Sequence, residues 1–573
     1  MADDGTVVGT LADLQRAGRL TGKVGSLPVV VFWHDDRAWA LEDRCPHMGF
    51  PLRQGTLEAG MVTCHWHHAR FDLATGCTLD LFADDARGFD VAIDGGEVVV
   101  LPRTGGDPAE HLWRRLDDGL EEGISLVIAK SVLGLLDEGV PPTEIVRRGV
   151  EFGTRYRGAG WGAGLTVLVA MANLLPSLDP DDRAAALVHG LAFVARDTRG
   201  RPPRFPIRGF EGGETDPARL AGWYRRFVGT RSGDAAERVL TTALEEGVAL
   251  PEIERTMFAA VTDHVFVDGG HTIDFTNKAF EVLDLLGPER AADVLPTLVQ
   301  QTASARWSEE GGTWRHPHDL VGLVARAEAA LPDAIAAGAP LVGTFDDVTG
   351  VALRILDDDP DAVVEALLDA VRAGAAPEQL GRALAYAAAL RISRFHVQND
   401  FGDWDTVHHA FTAANALHHA LERAPSIELH RGLVHGALRV YLDRFLNVPS
   451  ARLPVDTSGD LAELESCWEV QGQVDRAGAI VVGYLRGGGD PDRVVAVLAR
   501  ALLEEDAEFH WYQVVEAGIR QFGAWPAGSE ERVVILGAVA RFLAAHTPTR
   551  RELPRVVDIA ARLGRGDALY EEA

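Results

Sequence analysis

Two short segments near the N-terminus combine cysteine and histidine in a pattern suited to metal binding. Residues 45–47 read C-P-H and residues 64–67 read C-H-W-H, so each segment offers one thiolate and at least one imidazole. Thiolates are soft ligands that bind iron–sulfur clusters and zinc, and imidazoles bind both metals. Residues of these types at this spacing indicate a metal centre held between two loops.

This C-x-H…C-x2-H arrangement, together with the F-D-x-x-T-G pattern at 71–76, resembles the Rieske [2Fe–2S] proteins over roughly residues 6–103. The resemblance implies a [2Fe–2S] cluster in which two cysteines hold one iron and two histidines hold the other. Zinc is the alternative, although zinc fingers place two cysteines in one segment and two histidines in the next, whereas each segment here mixes the two types. The implied cluster ligands are Cys45, His47, Cys64 and His67.

The residues around the motif also indicate a subtype. Rieske proteins of cytochrome complexes carry one further cysteine in each loop, and Phe50 and Trp66 occupy those places here. The resemblance is therefore to the ferredoxin and oxygenase type, which passes electrons towards oxygen chemistry. His68 stands where such proteins usually have glycine. His65 offers a third imidazole, but the C-x2-H spacing favours His67 as the ligand.

The surrounding sequence predicts the elements that position these loops. Residues 1–103 contain short alternating apolar runs separated by turn residues, a pattern typical of antiparallel strands. Residues 104–110 are polar and predict a linker, and residues 111–573 carry apolar side chains at helical spacing. We therefore expect a multidomain chain, with a small antiparallel all-β Rieske domain followed by a large all-α helical-repeat domain.

Recurring phrases in the helical region predict its internal organisation. The tetrapeptide L-V-H-G occurs at 187–190 and again at 433–436. These recurrences predict about four helical modules, arranged as a duplicated pair, that bury each other's apolar faces. Chance recurrence in alanine-rich helices is the alternative. Glycine followed by a helix-starting segment recurs at Gly139, Gly247, Gly374 and Gly488.

Histidines of the helical region predict a second metal site. Several stand at matched positions of the modules and have carboxylates nearby, and helical bundles build non-haem iron sites from inward-facing side chains of these types. For each residue alone, a helix cap, a surface hydrogen bond or a place in the core is the alternative. The predicted residues are His271, His396, Asp400, His408 and His510, followed by His189 and His435.

Composition excludes several other functions. The chain has 573 residues with 85 acidic and 55 basic side chains, a formal net charge of −30. This charge argues against binding to nucleic acid or to an anionic membrane surface, because both interactions require positive charge. Four cysteines do not make a disulfide framework, and no signal peptide or bilayer-length apolar stretch is visible. We expect a cytoplasmic protein.

Together these patterns predict a Rieske iron–sulfur oxidoreductase. We expect electrons from a ferredoxin reductase or another donor to pass through the [2Fe–2S] cluster to a non-haem iron in the helical domain. That iron would support the O2-dependent, monooxygenase-like oxidation of a small organic substrate. The surroundings of His189 have a faint similarity to the helical questin-oxidase-like proteins. The alternative is a non-catalytic electron-transfer protein whose helical domain is a docking scaffold.

Overall fold

The computed structural model describes residues 5–103, 107–156, 160–212, 216–311, 317–452, 459–567 and 569. Part of the predicted linker at 104–110 therefore lies outside the described residues. Strands predominate up to Pro102 and helices follow from Pro108 onwards, which confirms the predicted fold class. Among the described residues, no helix combines the length and the apolar character needed to cross a bilayer.

Two antiparallel sheets form the N-terminal β domain. Its described strands are β1 (Thr6–Thr10), β2 (Arg19–Val24), β3 (Leu27–His34), β4 (Arg37–Glu42), β5 (Thr56–Glu58), β6 (Met61–Thr63), β7 (Arg70–Asp72), β8 (Gly88–Asp94) and β9 (Glu97–Pro102). The larger sheet has the order β1-β9-β8-β4-β3-β2, and the smaller has the order β5-β6-β7. One cysteine loop lies between β4 and β5 and the other joins β6 to β7, so the small sheet ties the two loops together.

The helices often begin where a capping aspartate precedes a proline. Asp107, Asp359 and Asp490 each accept a hydrogen bond from a backbone N–H of the first turn, and the following proline has no N–H to leave unpaired. The described helices are α1 (Leu11–Ala17), α2 (Pro108–Glu122), α3 (Ser125–Asp137), α4 (Pro142–Arg155), α5 (Ala163–Leu174), α6 (Arg183–Thr198), α7 (Pro217–Gly229), α8 (Gly233–Glu245), α9 (Leu250–Thr262), α10 (His271–Leu286), α11 (Ala291–Val294), α12 (Val299–Ser304), α13 (Leu320–Gly338), α14 (Val348–Ile355), α15 (Pro360–Arg372), α16 (Pro377–Ser393), α17 (Trp404–Arg423), α18 (Ile427–Leu442), α19 (Val474–Arg486), α20 (Pro491–Leu503), α21 (Phe509–Ala524), α22 (Glu530–His546) and α23 (Glu552–Gly564).

The chain divides into two compact units. The first contains residues 1–145 and 552–573, and the second contains residues 146–551. The first unit thus extends beyond residue 103, where the sequence pattern changes from strand-like to helical, because α2, α3 and α23 belong to it. Arg115 of α2 donates to the Ala83 carbonyl oxygen at 2.7 Å and contacts the Asp84 carboxylate at 3.0 Å. These bonds fasten the helices to the loop that precedes β8.

In the second unit, helices α10, α17 and α21 lie side by side, and α5, α16 and α22 pack against them. Nearly every side chain of α5 and α16 is buried, as expected for helices that have neighbours on all sides. The four recurring glycines share a local conformation: each has a positive φ and is followed three residues later by the start of a helix. The duplication itself stays a prediction.

Candidate functional site

The first cysteine loop is closed by its own backbone. The N–H of Cys45 donates to the carbonyl oxygen of Phe50 at 2.7 Å, and the N–H of Gly49 donates back to the carbonyl oxygen of Cys45 at 2.7 Å. Gly49 has φ +82°, a left-handed conformation that glycine adopts without steric cost. This tight turn fixes the direction in which the side chains of Cys45 and His47 leave the chain.

The second loop repeats the first. The N–H of Cys64 donates to the carbonyl oxygen of Ala69 at 2.8 Å, and the N–H of His68 donates to the carbonyl oxygen of Cys64 at 3.1 Å. His68 therefore occupies the place that Gly49 has in the first loop, and it adopts φ +63°. His68, which stands where Rieske proteins usually have glycine, puts a bulky side chain at a position where the turn requires a left-handed backbone.

Both thiols are buried and neither forms a disulfide. Cys45 and Cys64 are 2% and 1% exposed, and they lie in one core cluster between the two sheets. A hydrogen bond from Cys45, with the backbone N–H groups of Trp66 and His67, lowers the pKa of Cys64 to about 6 although burial opposes the shift. The same hydrogen bond, with burial, raises the pKa of Cys45. The two sulfurs are thus adjacent, as joint ligands must be.

The imidazoles of the two loops also meet. The ring centroids of His47 and His67 are 4.8 Å apart, with the rings nearly perpendicular. Burial, followed by the neighbouring His67, lowers the pKa of His47 to about 4. The Nδ1 atom of His47 is buried and has no hydrogen-bond partner among the described residues, so it is free to bind a metal. His65 instead places Nε2 2.6 Å from the Thr56 hydroxyl.

These features fit a mixed thiolate and imidazole cluster. Two adjacent sulfurs lie in the protein core, while His67 is exposed and His47 is half-buried beside Phe82, with ring centroids 5.1 Å apart. Such a set offers two sulfur ligands on the inner side and two nitrogen ligands towards the surface. The two loops have the same turn, and each contributes one cysteine and one histidine. The sulfurs therefore lie together on one side of the site and the imidazoles on the other.

In the second unit, three helices bring histidines together near their N-terminal ends. One ligand atom from each of His271, His409 and His510 lies within 4.8 Å of the others. The Nε2 atoms of His409 and His510 are 3.3 Å apart, and the His271 ring centroid lies 4.6 Å from that of His409. Burial lowers the pKa of His271 and of His510 to about 4, so both rings are neutral at physiological pH.

His408 completes this cluster from the inner side. Its ring is 1% exposed, and the centroid lies 4.1 Å from that of His510. Both ring nitrogens are buried without a hydrogen-bond partner among the described residues. The Asp405 carboxylate lies 3.9 Å from Nδ1, beyond hydrogen-bond distance, and a buried polar atom normally finds a partner, so these nitrogens are available to a bound group.

Close helix packing makes the cluster possible. His271 opens α10 directly after Gly270, which has φ +101°. A Cβ atom at Gly270 would lie 2.9 Å from Cβ of Ala413 and 3.0 Å from the ring of Phe266, so any larger residue would force α10 away from α17. Glycine here sets both the turn and the distance between the helices that carry His271 and His409.

A chain of hydrogen bonds orients one of the imidazoles. The Nδ1 atom of His510 lies 2.9 Å from the Gln513 side-chain oxygen, and the Gln513 amide nitrogen donates to the Asp274 carboxylate. Because the amide oxygen accepts, His510 carries its proton on Nδ1 and presents a bare Nε2 to the cluster. Burial raises the pKa of Asp274 to about 7. Metal-binding histidines are commonly oriented through their second nitrogen in this way.

An ionic network one turn further along ties α10 to α21. Lys278 is fully buried and its ammonium lies 2.9 Å from Glu281 and 2.7 Å from Glu516. Arg520 contacts the same two carboxylates. Removing one member would leave an unpaired buried charge, so the network fixes the register of the two helices that carry His271 and His510.

The structure brings together only part of the predicted second site. His271, His408 and His510 meet, whereas four other predicted residues lie elsewhere. The N–H of Gln398 donates to Nδ1 of His396 at 3.2 Å, and Asp400 is an exposed cap. Nδ1 of His189 lies 2.7 Å from the Tyr512 hydroxyl, and His435 lines a small cavity of about 20 Å³.

Sequence reasoning missed three contributors to this cluster. The predicted set contains His408 but not its neighbour His409, although two consecutive histidines early in a helix are a usable signal for a site at that helix end. Gln513 and Asp274 each stand three residues after a clustered histidine, on the same helix face. For Gln513 that spacing is the sequence signal for a side chain that orients an imidazole, whereas Asp274 acts by accepting from the Gln513 amide.

Comparison with known proteins concerns the N-terminal part of the chain. The profile of the Rieske [2Fe-2S] domain family matches residues 5–86. Ferredoxin CarAc of Metapseudomonas resinovorans is 33% identical over 88 residues, which are 14% of this chain and 78% of that protein. A Rieske domain-containing protein of Homo sapiens is 36% identical over 73 residues, 12% of this chain, and the chain spans about half (46%) of its length. A 4beta-methylsterol monooxygenase of Methylococcus capsulatus (strain ATCC 33009 / NCIMB 11132 / Bath) is 41% identical over 58 residues, 9% of this chain and 16% of that protein.

Proposed function

The chain belongs, through residues 5–86, to the Rieske [2Fe-2S] domain family, and we propose that it is an oxidoreductase in which this domain delivers electrons to a metal centre in the helical unit. The observation that carries the proposal is the presence on one chain of an iron–sulfur domain and of a cluster of four histidines, of which His408 is buried and the other three are half-buried. The electrons come from a ferredoxin reductase or a similar donor, and they support the O2-dependent oxidation of a small organic substrate.

The proposed cluster ligands are Cys45 and Cys64 for one iron and His47 and His67 for the other. The adjacent buried sulfurs and the orphaned Nδ1 atom of His47 support this assignment. When bound, a Rieske cluster takes up and releases one electron at a time. The buried thiols keep water from one end of the site, while the exposed His67 ring lies at the surface where a redox partner can approach.

The proposed second centre uses the nitrogens of His271, His409 and His510, with His408 as a fourth ligand. Imidazole sets of this kind bind iron, copper, zinc or nickel, and an electron-delivering domain on the same chain favours iron. When bound, iron here supplies the redox chemistry with O2. The residues of the chain hold the rings neutral, orient His510 through Gln513, and leave the remaining metal positions to exogenous ligands.

The name of the methylsterol relative describes a monooxygenase, and that of the Metapseudomonas relative describes a ferredoxin. Both roles agree with a Rieske domain that supplies an oxygenation reaction. The second candidate is the ferredoxin role alone, in which the helical unit is a docking scaffold. This role is favoured because the N-terminal part of this chain matches 78% of the length of the ferredoxin relative.

Metal and acid-labile sulfide analysis of the full chain tests the proposal. We expect iron in excess of the sulfide, and the reduced protein should show a Rieske-type EPR signal. Addition of nitric oxide to the reduced protein should give a separate high-spin signal from an iron that lies outside the cluster. Iron equal to sulfide, with no nitric oxide signal, would leave the ferredoxin role with a scaffold. Zinc without labile sulfide would refute the cluster itself.

A further inference from the structure

A lysine from outside the matched domain contacts the first cluster loop. Lys130 belongs to α3, and its ammonium donates to the carbonyl oxygen of Pro46 at 2.7 Å. Pro46 is the residue between Cys45 and His47, the two proposed ligands of this loop. The side chain of Lys130 is 18% exposed, so water screens its charge only in part.

The carboxylate nearest to Lys130 is shared with other cations. Asp84 lies 3.5 Å from the Lys130 ammonium, but it also lies 3.0 Å from the Arg115 guanidinium and 3.3 Å from the His111 ring. Asp84 therefore neutralises Lys130 only partly. The Lys130 ammonium is the cation that lies directly against the carbonyl oxygen between the two ligands.

Other charged groups around Lys130 are of both signs. Lys130 lines a cavity of about 230 Å³ beside Cys45 and Pro46. Four carboxylates and two arginines line this cavity with Lys130, and Lys130 is distinguished from the other cations by its direct hydrogen bond to the ligand loop. The other charged residues that line the cavity are Glu42, Arg44, Asp84, Asp85, Arg87 and Asp137.

We propose that Lys130 is a positioning residue that raises the reduction potential of the [2Fe–2S] cluster. The inference rests on the proposed cluster ligands. Reduction adds one electron to the cluster, and no bond forms or breaks, so the cluster region gains one negative charge. A fixed ammonium at the ligand loop stabilises that charge more than the oxidised state. Helix α3, which lies outside the β domain, thus raises the reduction potential of the cluster through Lys130.

Redox titration of the full, cluster-loaded chain tests this inference, with dithionite as the reductant and the EPR signal as the readout. We expect Lys130→Met to lower the reduced-to-oxidised ratio at a given potential about tenfold, which is about 59 mV for a one-electron couple. Lys130→Arg keeps the charge and the donor, and should recover most of this shift. Lys23→Met removes the same charge from β2, at the edge of the large sheet, and should change the ratio less than twofold.

The outcomes separate the inference from the proposed function. A wild-type protein without a Rieske signal refutes the cluster, whatever Lys130 does. A wild-type signal with equal potentials in Lys130→Met and Lys23→Met overturns the inference alone. A shift in Lys130→Arg as large as that in Lys130→Met overturns the role of the charge. If Lys130→Met does not retain its cluster, Lys130→Gln replaces it under the same criteria.

Discussion

The two candidate metal sites are held in place by different means. In the β domain, each ligand loop is closed by its own backbone, through bonds such as that from Cys64 N–H to the Ala69 carbonyl oxygen. In the helical unit, the rings depend on how closely α10 approaches α17 and on side chains such as Gln513. A site held by backbone turns tolerates change in its surroundings, whereas a site held by helix packing transmits any shift of the helices to its ligands.

The largest effect is expected at the cluster thiols. Cys45→Ser should abolish the Rieske EPR signal and the labile sulfide, because a hydroxyl replaces one of only two sulfur ligands. The far-UV circular dichroism of the helices should stay unchanged if the two sites are independent. Cys77→Ser is the matched control, since Cys77 is exposed and outside the proposed set. A full signal in Cys45→Ser would contradict the ligand assignment.

The next effect distinguishes the clustered histidines from those that only the sequence suggested. His409→Ala should weaken iron binding in the helical unit more than about 100-fold, because loss of a ligand exceeds the loss from an orienting partner. His396→Ala should leave binding unchanged, since that ring lies outside the cluster. Iron and nitric oxide titrations of both variants measure this. Equal binding in the two variants would show that the cluster is not a metal site.

The helices of the first unit add side-chain tethers to the β domain. Burial would raise the pKa of Asp84, but the hydrogen bond with His111 and the charges of Lys130 and Arg115 outweigh it and hold the pKa below its ordinary value. A carboxyl with a depressed folded pKa stabilises the fold above its unfolded pKa, near 4, and this contribution is lost as the pH falls through the folded value.

Asp84→Asn should therefore lower the free energy of unfolding by about 3 kcal/mol at pH 7. The difference from the wild type should shrink as the pH falls below about 4. Urea unfolding at several pH values measures both. Asp94→Asn, in the exposed β8–β9 hairpin, serves as the control and should have little effect. A difference that grows at low pH would contradict the depressed pKa.

A smaller effect tests whether the helical site depends on its supporting side chains. Gln513→Leu should weaken iron binding about 10- to 100-fold, because His510 loses the partner that fixes its proton on Nδ1. Gln379→Leu removes an amide contact to the Phe345 carbonyl oxygen, away from the clustered histidines. It should leave iron binding unchanged. Similar losses in both variants would indicate general destabilisation rather than orientation of His510.

The smallest effect concerns the difference between the two ligand loops. His68→Gly should raise the free energy of unfolding by about 0.5–1 kcal/mol, since the turn at φ +63° no longer strains a side chain. Gly49→Ala should lower it by about 1 kcal/mol for the opposite reason. Thermal unfolding of the loaded protein measures both. Changes of the same sign in the two variants would refute the equivalence of the loops.

The β domain could be predicted from the sequence more completely than the helical site. The motif of the β domain is formed by residues close together in the sequence, because residues 45–47 and 64–67 each lie in one turn. The predicted family and fold class are confirmed. His396 and His510 each stand 22 residues after a recurring glycine, Gly374 and Gly488, but α17 begins only at Trp404 whereas α21 begins at Phe509. The longer turn before α17 shifts the clustered rings to His408 and His409. Such a shift depends on packing between distant segments, and its one local signal is the pair of consecutive histidines early in α17.

The discontinuity of the first unit has a consequence for biosynthesis. Helix α23 contacts α3 within this unit, yet it leaves the ribosome only after residues 146–551. The β domain with α2 and α3 can therefore acquire its metal while one flank, where Leu563 approaches Gly49, is still open. Arrival of α23 then closes that flank, so assembly of a cluster can precede completion of the unit.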